Sequence, residues 1–468
     1  MRNLSILAQH RKDNSMSSNS LLPPDLVARL EKLLRSAGRD SSRPSIDFSA
    51  RRSPIHVFYM GAHLFSAGTV RKVASIALQT LERFAPDAST FASLAVGKSV
   101  YQDQEGEPDL LFDPSTYERM RQKLHCEPIE DLRIDFEDGY GERPNGEEDA
   151  HAIRAAREIA GAMAGGASDF PPFLGIRIKP LKQKNVQRGL RTLELFLSEL
   201  TSHKASLPEN FSVTLPKATY PEEVEALAQI ASELESALGL KKGWLSIELM
   251  IESVHALLDD DGRIGLRALV NAANGRCVAV HFGPHDYAAS RNVVSPNAFS
   301  HFSSRFAREV IQVALRDTGV RIADGPTNLL PIAPHSADAS LLTEQEKKEN
   351  VNAIARGWQA HYRNIQNSLA NGASQGWDLH PAQLPVRYAA VYSFYRRNLA
   401  SASERLKNFA EQAGHVTRVG QVFDDAAMAH EQLNFIRNAI ISGAATLAEV
   451  EELTGNTYNT LHRILAHR

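Results

Sequence analysis

Short apolar or β-branched segments alternate with longer amphipathic segments along most of the chain. Seven short segments have the character of strands and end in polar residues: IHVFYMG (55–61), DLRIDFED (131–138), FLGIRIKP (173–180), FSVTLPK (211–217), WLSIELMIES (244–253), CVAVHFGPHD (277–286) and QGWDLHP (375–381). An eighth, GVRIADGPTNLLPI (319–332), is interrupted by Gly325 and Pro326. Helical patterns such as PEEVEALAQIASELESALG lie between several of them. The alternation predicts a parallel sheet with helices packed on it.

Two folds fit this alternation. Eight strand–helix units would close a (β/α)8 TIM barrel. An open, doubly wound sheet is the alternative, and it usually carries a Gly-rich phosphate turn after its first strand. Here the first strand runs into YMGAHLFSAG, which lacks the GxGxxG spacing. The sequence therefore favours the barrel.

Composition divides the chain into three regions. Residues 1–50 are rich in Ser, Arg and Pro and are expected to form a mostly flexible arm. Residues 51–400 are expected to form the TIM-barrel catalytic domain, with an insertion at about 85–130. Residues 401–468 are expected to form a helical extension. Its segment TLAEVEELTGNTYNTLHRIL resembles a helix-turn-helix, and a small packing hairpin explains that pattern equally well.

Charge and cysteine content exclude several classes of protein. The 468 residues carry a formal net charge of -3 with both signs well mixed, so no nucleic-acid partner is expected. The two cysteines, Cys126 and Cys277, have no CxxC partner, which argues against a disulfide framework or a zinc site. Neither a signal-peptide core nor an apolar run of membrane-spanning length is present, so a cytoplasmic location without membrane contact is predicted.

Polar residues cluster at the carboxyl ends of the predicted strands, which in a barrel converge on the face that carries the active site. Glu252 ends IELMIES and Asp286 follows VAVHFGPHD, so neighbouring strands would bring the two carboxylates together. Two such carboxylates repel unless a cation or a proton separates them. Mg²⁺ suits one or two carboxylates and keeps water positions for a substrate. Glu252 and Asp286 are thus predicted Mg²⁺ ligands, with Mn²⁺ as an alternative ion, although unrelated surface acids would show the same pattern.

A second acidic group follows the second predicted strand, in IDFEDGYG. If the strand extends that far, alternation sends Asp135 and Glu137 to one face and Asp138 to the other. These acids either support metal-bound water or form salt bridges to Arg133 or Arg177. Arg177 lies within the apolar segment GIRIKP and needs an anionic partner, which a substrate carboxylate, an enolate oxygen or Glu137 would supply.

Two further polar residues are candidates for substrate binding. Lys217 closes VTLPK and offers a second positive charge, with a Schiff base as an alternative role. His380, in DLHPAQ, is a candidate proton carrier or a structural hydrogen-bonding group. His281 and His285 lie four apart with Gly and Pro between them, which is not a helical zinc pair. We expect His281 to be an inward-facing polar residue.

The segments IDFEDGYG, GIRIKP, VTLPK, ELMIES, HFGPHDYA and DLHPAQ, in this order over about 131–384, resemble the citrate lyase β-chain and 2-keto-acid (hydroxy-oxo-acid) aldolase family. That family belongs to the phosphoenolpyruvate/pyruvate-binding TIM barrels. The resemblance implies that Glu252 and Asp286 hold Mg²⁺ and that Arg177 binds the keto acid or its enolate. It also implies that Glu137 and Asp138 form the acidic pair near the metal.

The chain departs from the family pattern in two respects. Some aldolases of the family have a His directly after the acidic Glu, whereas Asp138 stands there in this chain, so their His-based proton relay is not expected. No coenzyme A signature is recognisable in the sequence. An acyl-CoA substrate is therefore implied only by the resemblance.

The expected function is that of a Mg²⁺-dependent carbon–carbon lyase or aldolase. It would act on a 2-keto acid or an acyl-CoA-type substrate through a metal-stabilised enolate, as a homo-oligomer. Condensation of the malate synthase type, or phosphotransfer between phosphoenolpyruvate and pyruvate, would use the same chemistry. Phosphotransfer would also need a nucleotide site, and no GxxxxGK[ST] loop is present. A further alternative is a metabolite-binding regulator that acts without catalysis through its C-terminal helices.

Overall fold

Eight parallel strands close into a barrel in the computed structural model of the chain. The strands are β1 (His56–Gly61), β2 (Asp131–Asp135), β3 (Phe173–Arg177), β4 (Phe211–Leu215), β5 (Ser246–Ile251), β6 (Cys277–Phe282), β7 (Arg321–Pro326) and β8 (Gln375–Asp378). Each strand pairs with its neighbour in sequence, and β1 pairs with β8 to complete the ring. The predicted (β/α)8 TIM barrel is confirmed. The interrupted eighth segment supplies β7, whose register with β8 shifts between Ala323 and Pro326.

The structure describes most but not all of the chain. The described residues are 29, 52–97, 112–164, 170–182, 185–202, 208–294, 299, 302–338, 340–411, 417–419, 422–424 and 426–461. The chain divides into two units, and all elements named here belong to the unit Arg52–Leu465. The predicted arm of residues 1–50 lies outside the described residues apart from Arg29, as does part of the predicted insertion at about 85–130.

Helices follow or connect the strands. They are α1 (Thr69–Phe84), α2 (Ala88–Phe91), α3 (Pro114–Cys126), α4 (Asn145–Ala164), α5 (Val186–Ser202), α6 (Pro221–Ala237), α7 (Val254–Leu257), α8 (Leu266–Ala272), α9 (Pro284–Ser290), α10 (Phe302–Leu315), α11 (Glu344–Ala370), α12 (Leu384–Glu411), α13 (Ala426–Ile441) and α14 (Leu447–Thr454). A π-turn at Ala92–Val96 follows α2, and a 3-10 turn at Pro381–Gln383 precedes α12. None of the described helices has the length and apolarity needed to cross a membrane.

After β8 the described part of the chain is helical apart from a two-stranded hairpin. Its strands β9 (Thr417–Val419) and β10 (Val422–Asp424) pair antiparallel. Helix α12 runs without a break through residue 400, where composition suggested a boundary. The helix-turn-helix-like segment contributes α14, where Glu449 bonds to Arg396 of α12 and to Arg119 of α3.

The barrel interior is charged rather than purely apolar. Period-2 alternation turns Arg133 of β2 inward, where it bonds to Asp131 and to Glu248 of β5, and all three side chains are fully buried. Gly175 of β3 lies beside this guanidinium, and a Cβ atom there would clash with the Ser212 backbone oxygen and lie 3.1 Å from the Arg133 Nε atom. A buried guanidinium is tolerated when carboxylates pair with it and satisfy its hydrogen bonds.

Candidate functional site

Three carboxylates gather at the carboxyl end of the barrel, which we call the mouth. Asp138 lies in the turn after β2, Glu252 directly follows β5, and Asp286 lies in the first turn of α9. Each offers an oxygen atom within 4.8 Å of the other two. The structure thus brings together Glu252 and Asp286, the two predicted metal ligands, and places Asp138 beside them. Three carboxylates at this spacing are ligands that a hard divalent cation prefers.

The turn after β6 allows Glu252 and Asp286 to approach each other. Gly283 lies between them, and a Cβ atom at this position would be 2.6 Å from the Glu252 Cγ atom. Any side chain at 283 would therefore displace the Glu252 carboxylate. The Gly-Pro pair in HFGPHD excludes a helical zinc site. Its glycine, Gly283, also leaves room for the buried carboxylate of Glu252.

Glu252 is the buried member of the three carboxylates. Burial and the neighbouring charge of Asp286 raise its pKa to about 8, despite the opposing charge of Arg177. Its Oε2 atom accepts a hydrogen bond of 2.7 Å from the backbone N–H of Lys217. At neutral pH Glu252 is therefore mostly protonated when no cation is bound, and a cation would favour its ionised form.

Lys217 lies between the acidic groups of β2 and the end of β4. Its Nζ atom is 2.5 Å from Glu137 Oε1 and 3.2 Å from Asp138 Oδ1. Burial opposes its charge, but the hydrogen bond and charge of Glu137 raise the pKa of Lys217 above its usual range. Its φ of 54° is in the left-handed region that non-glycine residues rarely adopt. A lysine held charged is a poor Schiff-base nucleophile, so the geometry favours the electrostatic role.

Arg177 is fixed on three sides at the end of β3. It forms a bidentate ion pair with Asp135, in which Nε lies 2.6 Å from Oδ1, and its Nη1 lies 3.2 Å from Glu137 Oε2. The guanidinium also lies 4.9 Å from the ring centre of Tyr59 and 5.7 Å from that of Trp377. The pairing occupies Nε and Nη2 and leaves Nη1 as the nitrogen that faces the acidic group.

The strand β2 ends at Asp135, which changes the expected placement of the acids after it. Alternation would have sent Asp138 away from Asp135 and Glu137, but the chain turns before Asp138. The Asp135 carboxylate accepts the backbone N–H groups of Glu137 and Gly139, at 2.9 Å and 2.7 Å, and so holds that turn. Asp135 and Glu137 pair with Arg177, whereas Arg133 pairs deeper in the barrel.

The two histidines singled out from the sequence have different surroundings. His380 Nδ1 accepts the Ala382 N–H at 3.1 Å, and this bond caps the turn before α12. His281 points into the barrel, with Nδ1 2.9 Å from the Tyr59 hydroxyl and Nε2 3.6 Å from Glu248. Burial lowers the pKa of His281 to about 4, so its imidazole is neutral at physiological pH.

Sequence reasoning missed two aromatic residues of this site. Tyr59 and Trp377 face each other across the β1–β8 seam, with ring centres 4.5 Å apart. Both occupy inward positions of their strands. The alternation of inward and outward residues along IHVFYMG and QGWDLHP was therefore sufficient to identify them as inward-facing. Their contact with Arg177 depends on barrel closure, which no local pattern contains.

A family model described as "Domain of unknown function (DUF6986)" matches residues 46–468. Among solved structures, a citrate lyase from Burkholderia xenovorans LB400 is 19% identical, with a TM-score of 0.50, over 72% of this chain and 92% of that one. Haloferax volcanii malate synthase, as a lead(II) complex, is 13% identical, with a TM-score of 0.47, over 88% and 99%. No curated protein sequence matches the chain. At these identities the first likeness shows a shared barrel fold.

A third solved structure is also similar to this chain. Protein CitE from Mycobacterium tuberculosis, in complex with magnesium, acetoacetate and coenzyme A, is 15% identical, with a TM-score of 0.42, over 69% of this chain and 95% of that one.

Proposed function

The chain belongs to the family described as "Domain of unknown function (DUF6986)", and we propose that it is a Mg²⁺-dependent carbon–carbon lyase or aldolase. Its substrate would be a 2-keto acid or an acyl-CoA-type molecule. The observation that carries the proposal is the clustering of Asp138, Glu252 and Asp286 beside Arg177 and Lys217. This arrangement supplies oxygen ligands for a cation and positive groups for an anionic substrate at one end of one barrel.

The donor set fits a hard divalent cation. The three carboxylates offer only oxygen atoms, and two of the residues are exposed while Glu252 is buried. Burying Glu252 next to Asp286 is unfavourable unless a proton or a cation compensates the charge. We assign Glu252 and Asp286 as the Mg²⁺ ligands, with Mn²⁺ as a substitute, and Asp138 as an acid beside them. When bound, the cation would supply Lewis-acid stabilisation of negative charge that develops on the substrate.

The positive groups orient the substrate in this proposal. Arg177 presents Nη1 to the carboxylate or enolate oxygen while Asp135 holds the rest of the guanidinium in place. Lys217 offers a second positive charge, and Glu137 fixes its Nζ atom near the acids. Glu137 and Asp138 thereby set the position of the cationic groups. His380 is proposed to contact the substrate at the edge of the mouth.

Calorimetric titration tests this function. Mg²⁺ is titrated into the wild type and into Asp286→Ala, followed by pyruvate, oxaloacetate and acetyl-CoA in the presence and absence of Mg²⁺. We expect ligand binding that needs both Mg²⁺ and Asp286. Asp261→Ala is the matched control, because Asp261 is an exposed carboxylate on a turn beyond α7. Unchanged Mg²⁺ affinity in Asp286→Ala, or no metal-dependent binding of any of the three compounds, would contradict the proposal.

The same residues would serve a condensation of the malate synthase type. Incubating the enzyme with Mg²⁺, acetyl-CoA and glyoxylate separates this reaction from cleavage, since condensation releases free thiol. The cytoplasmic location, the homo-oligomeric state and the three-region division of the chain stay predictions from the sequence.

A further inference from the structure

The loop after β1 places the imidazole of His63 beside the carboxyl end of this strand. Val57 and Tyr59 point inward, so the next inward position of β1 is Gly61. A Cβ atom at Gly61 would lie 2.7 Å from His63 Cε1 and 2.9 Å from His63 Nδ1. The imidazole of His63, together with the Gly139 backbone oxygen that lies still closer to the same Cβ position, therefore fills the space that an inward side chain at the end of β1 would occupy.

This position is beside the strand that carries the acidic group. Gly61 pairs with Asp135 in the β1–β2 ladder, and the Ala62 N–H donates to the Asp135 backbone oxygen at 2.9 Å. Asp135 in turn holds Arg177. His63 thus lies at the same end of the barrel as Arg177 and the turn that contains Asp138.

The backbone of His63 is held firmly while its ring has an unused nitrogen. Arg154 Nη2 donates to the backbone oxygens of Ala62 and His63, at 2.9 Å and 3.1 Å. The ring packs edge-on against Tyr140, with ring centres 5.7 Å apart. His63 Nδ1 is buried and has no hydrogen-bond partner among the described residues. A buried polar atom without a partner is unfavourable, so a hydrogen bond from a bound molecule to this nitrogen would be favourable.

The surroundings keep the imidazole neutral. Burial, followed by the charges of Arg143 and Arg154, lowers the pKa of His63 against the opposing charges of Glu147 and Asp135. A neutral imidazole has the free lone pair that a general base requires.

Two more titratable groups face this ring. They are Tyr140 and His151, whose hydroxyl and Nδ1 atoms lie 2.8 Å apart. Burial raises the pKa of Tyr140 to about 12, so neither of these groups brings a negative charge to His63 at neutral pH.

Other titratable groups of the mouth are already engaged. Glu137 and Asp138 bond to Lys217, and Glu252 and Asp286 are the assigned metal ligands. The remaining candidates are histidines of the barrel. His281 bonds to Tyr59 below the mouth, His380 uses Nδ1 to cap a turn, and His285 directly precedes the assigned ligand Asp286 and has a buried Nε2 without a partner among the described residues.

We propose that His63 is the general acid–base of this site, an inference that rests on the proposed function. In the cleavage direction, a His63 nitrogen takes the proton of the substrate hydroxyl group, the O–H electrons form the new carbonyl, and the C–C bond breaks. The electron pair of that bond stays on the keto-acid fragment as an enolate. The imidazolium then returns the proton to the enolate carbon, and the reverse sequence removes a C3 proton from the keto acid.

Proton exchange at C3 of pyruvate tests this role directly. The holoenzyme with Mg²⁺ is incubated with pyruvate in D₂O, and loss of the methyl proton signal is followed by NMR. We expect His63→Gln to reduce the exchange rate by about 10²- to 10⁴-fold, the usual contribution of a general acid–base. Mg²⁺-dependent pyruvate binding by calorimetry should change by less than about twofold, since His63 carries no charge in the binding step. His125→Gln, at an exposed helix end, is the matched control.

Two further measurements separate a chemical role from a structural one. Added imidazole should restore exchange in His63→Ala, because it supplies the missing base in solution. The wild-type exchange rate should rise with pH through a histidine-like limb that His63→Gln lacks. This inference alone is overturned if His63→Gln binds pyruvate and exchanges its protons as fast as the wild type does. It is also overturned if the wild type binds pyruvate but does not exchange its protons. Wild type that binds no keto acid with Mg²⁺ overturns the proposed function and this inference with it.

Discussion

The barrel interior and the barrel mouth both contain several charged residues, but they differ in how the charges are compensated. In the interior, Asp131 and Glu248 share the guanidinium of Arg133, and Arg321 lies 3.7 Å from Glu248. Burial would raise the pKa of Glu248, but Arg133 and other positive neighbours hold it far below its usual range. Two acids thus meet two arginines with no acid in excess, although burial and the charge of Glu248 raise the pKa of Asp131 to about 6 against the opposing charge of Arg133.

The mouth has an excess of acids. Glu137, Asp138, Glu252 and Asp286 lie near Lys217, while Arg177 is already paired with Asp135. The raised pKa of Glu252 reflects this excess. The comparison teaches that buried charges paired with each other are tolerated within the fold and depend on their partners, whereas an uncompensated buried carboxylate indicates a binding site.

The largest expected effect comes from breaking the compensated interior. Arg133→Met removes the shared partner of Asp131 and Glu248 and should lower the free energy of unfolding by about 3–5 kcal/mol. Urea denaturation followed by circular dichroism measures this change. Arg263→Met removes an exposed pair with Asp261 and should change stability by less than about 0.5 kcal/mol. Equal losses in the two variants would contradict the distinction.

A substitution among the acids of the mouth should weaken metal binding without lowering the stability of the metal-free protein. Glu252→Gln removes a proposed metal ligand, so Mg²⁺ affinity should fall by at least about tenfold. The same change removes the repulsion between Glu252 and Asp286, so the metal-free protein should unfold at equal or higher urea concentration at pH 9. Calorimetry and urea denaturation of one preparation give both values. A Glu252→Gln protein that is clearly less stable without metal would show that Glu252 supports the fold instead.

A smaller effect is expected in the pH dependence of Mg²⁺ binding at the mouth. Because the pKa of Glu252 is raised to about 8, its protonated form predominates below that pH in the metal-free protein. Mg²⁺ binding requires the carboxylate, so affinity should rise by up to about tenfold per pH unit between pH 6 and 8 and level off above. Titrations in two buffers of different ionisation enthalpy should show about one proton released at pH 7. No proton release would contradict the raised pKa.

The fold and part of the site follow from local patterns in the sequence. Strand–helix alternation predicted the barrel, and the rule that strand ends converge predicted that Glu252 and Asp286 would meet. Partner choice was not predictable in this way. Arg177 pairs with Asp135 because β2 and β3 are in register at those two residues, and register depends on barrel closure.

The place of Asp138 shows why strand ends are difficult to predict. Alternation applies only within a strand, and β2 ends three residues before Asp138. Beyond that point the turn is set by the Asp135 side chain bonding to two backbone N–H groups. His63 was missed for a related reason, since the absent side chain of Gly61 creates its place at the mouth.

Closure of the ring between β1 and β8 also affects how the protein is made. His56 and Asp378, which meet at 2.7 Å across this seam, are 322 positions apart in the chain. During synthesis the ribosome must therefore deliver just over four-fifths of these 468 residues before the seam can form. Contacts this distant in sequence slow folding, and until they form β1 has an open edge that invites pairing with other chains. Nascent chains that stop before β8 should consequently depend on chaperones to avoid aggregation.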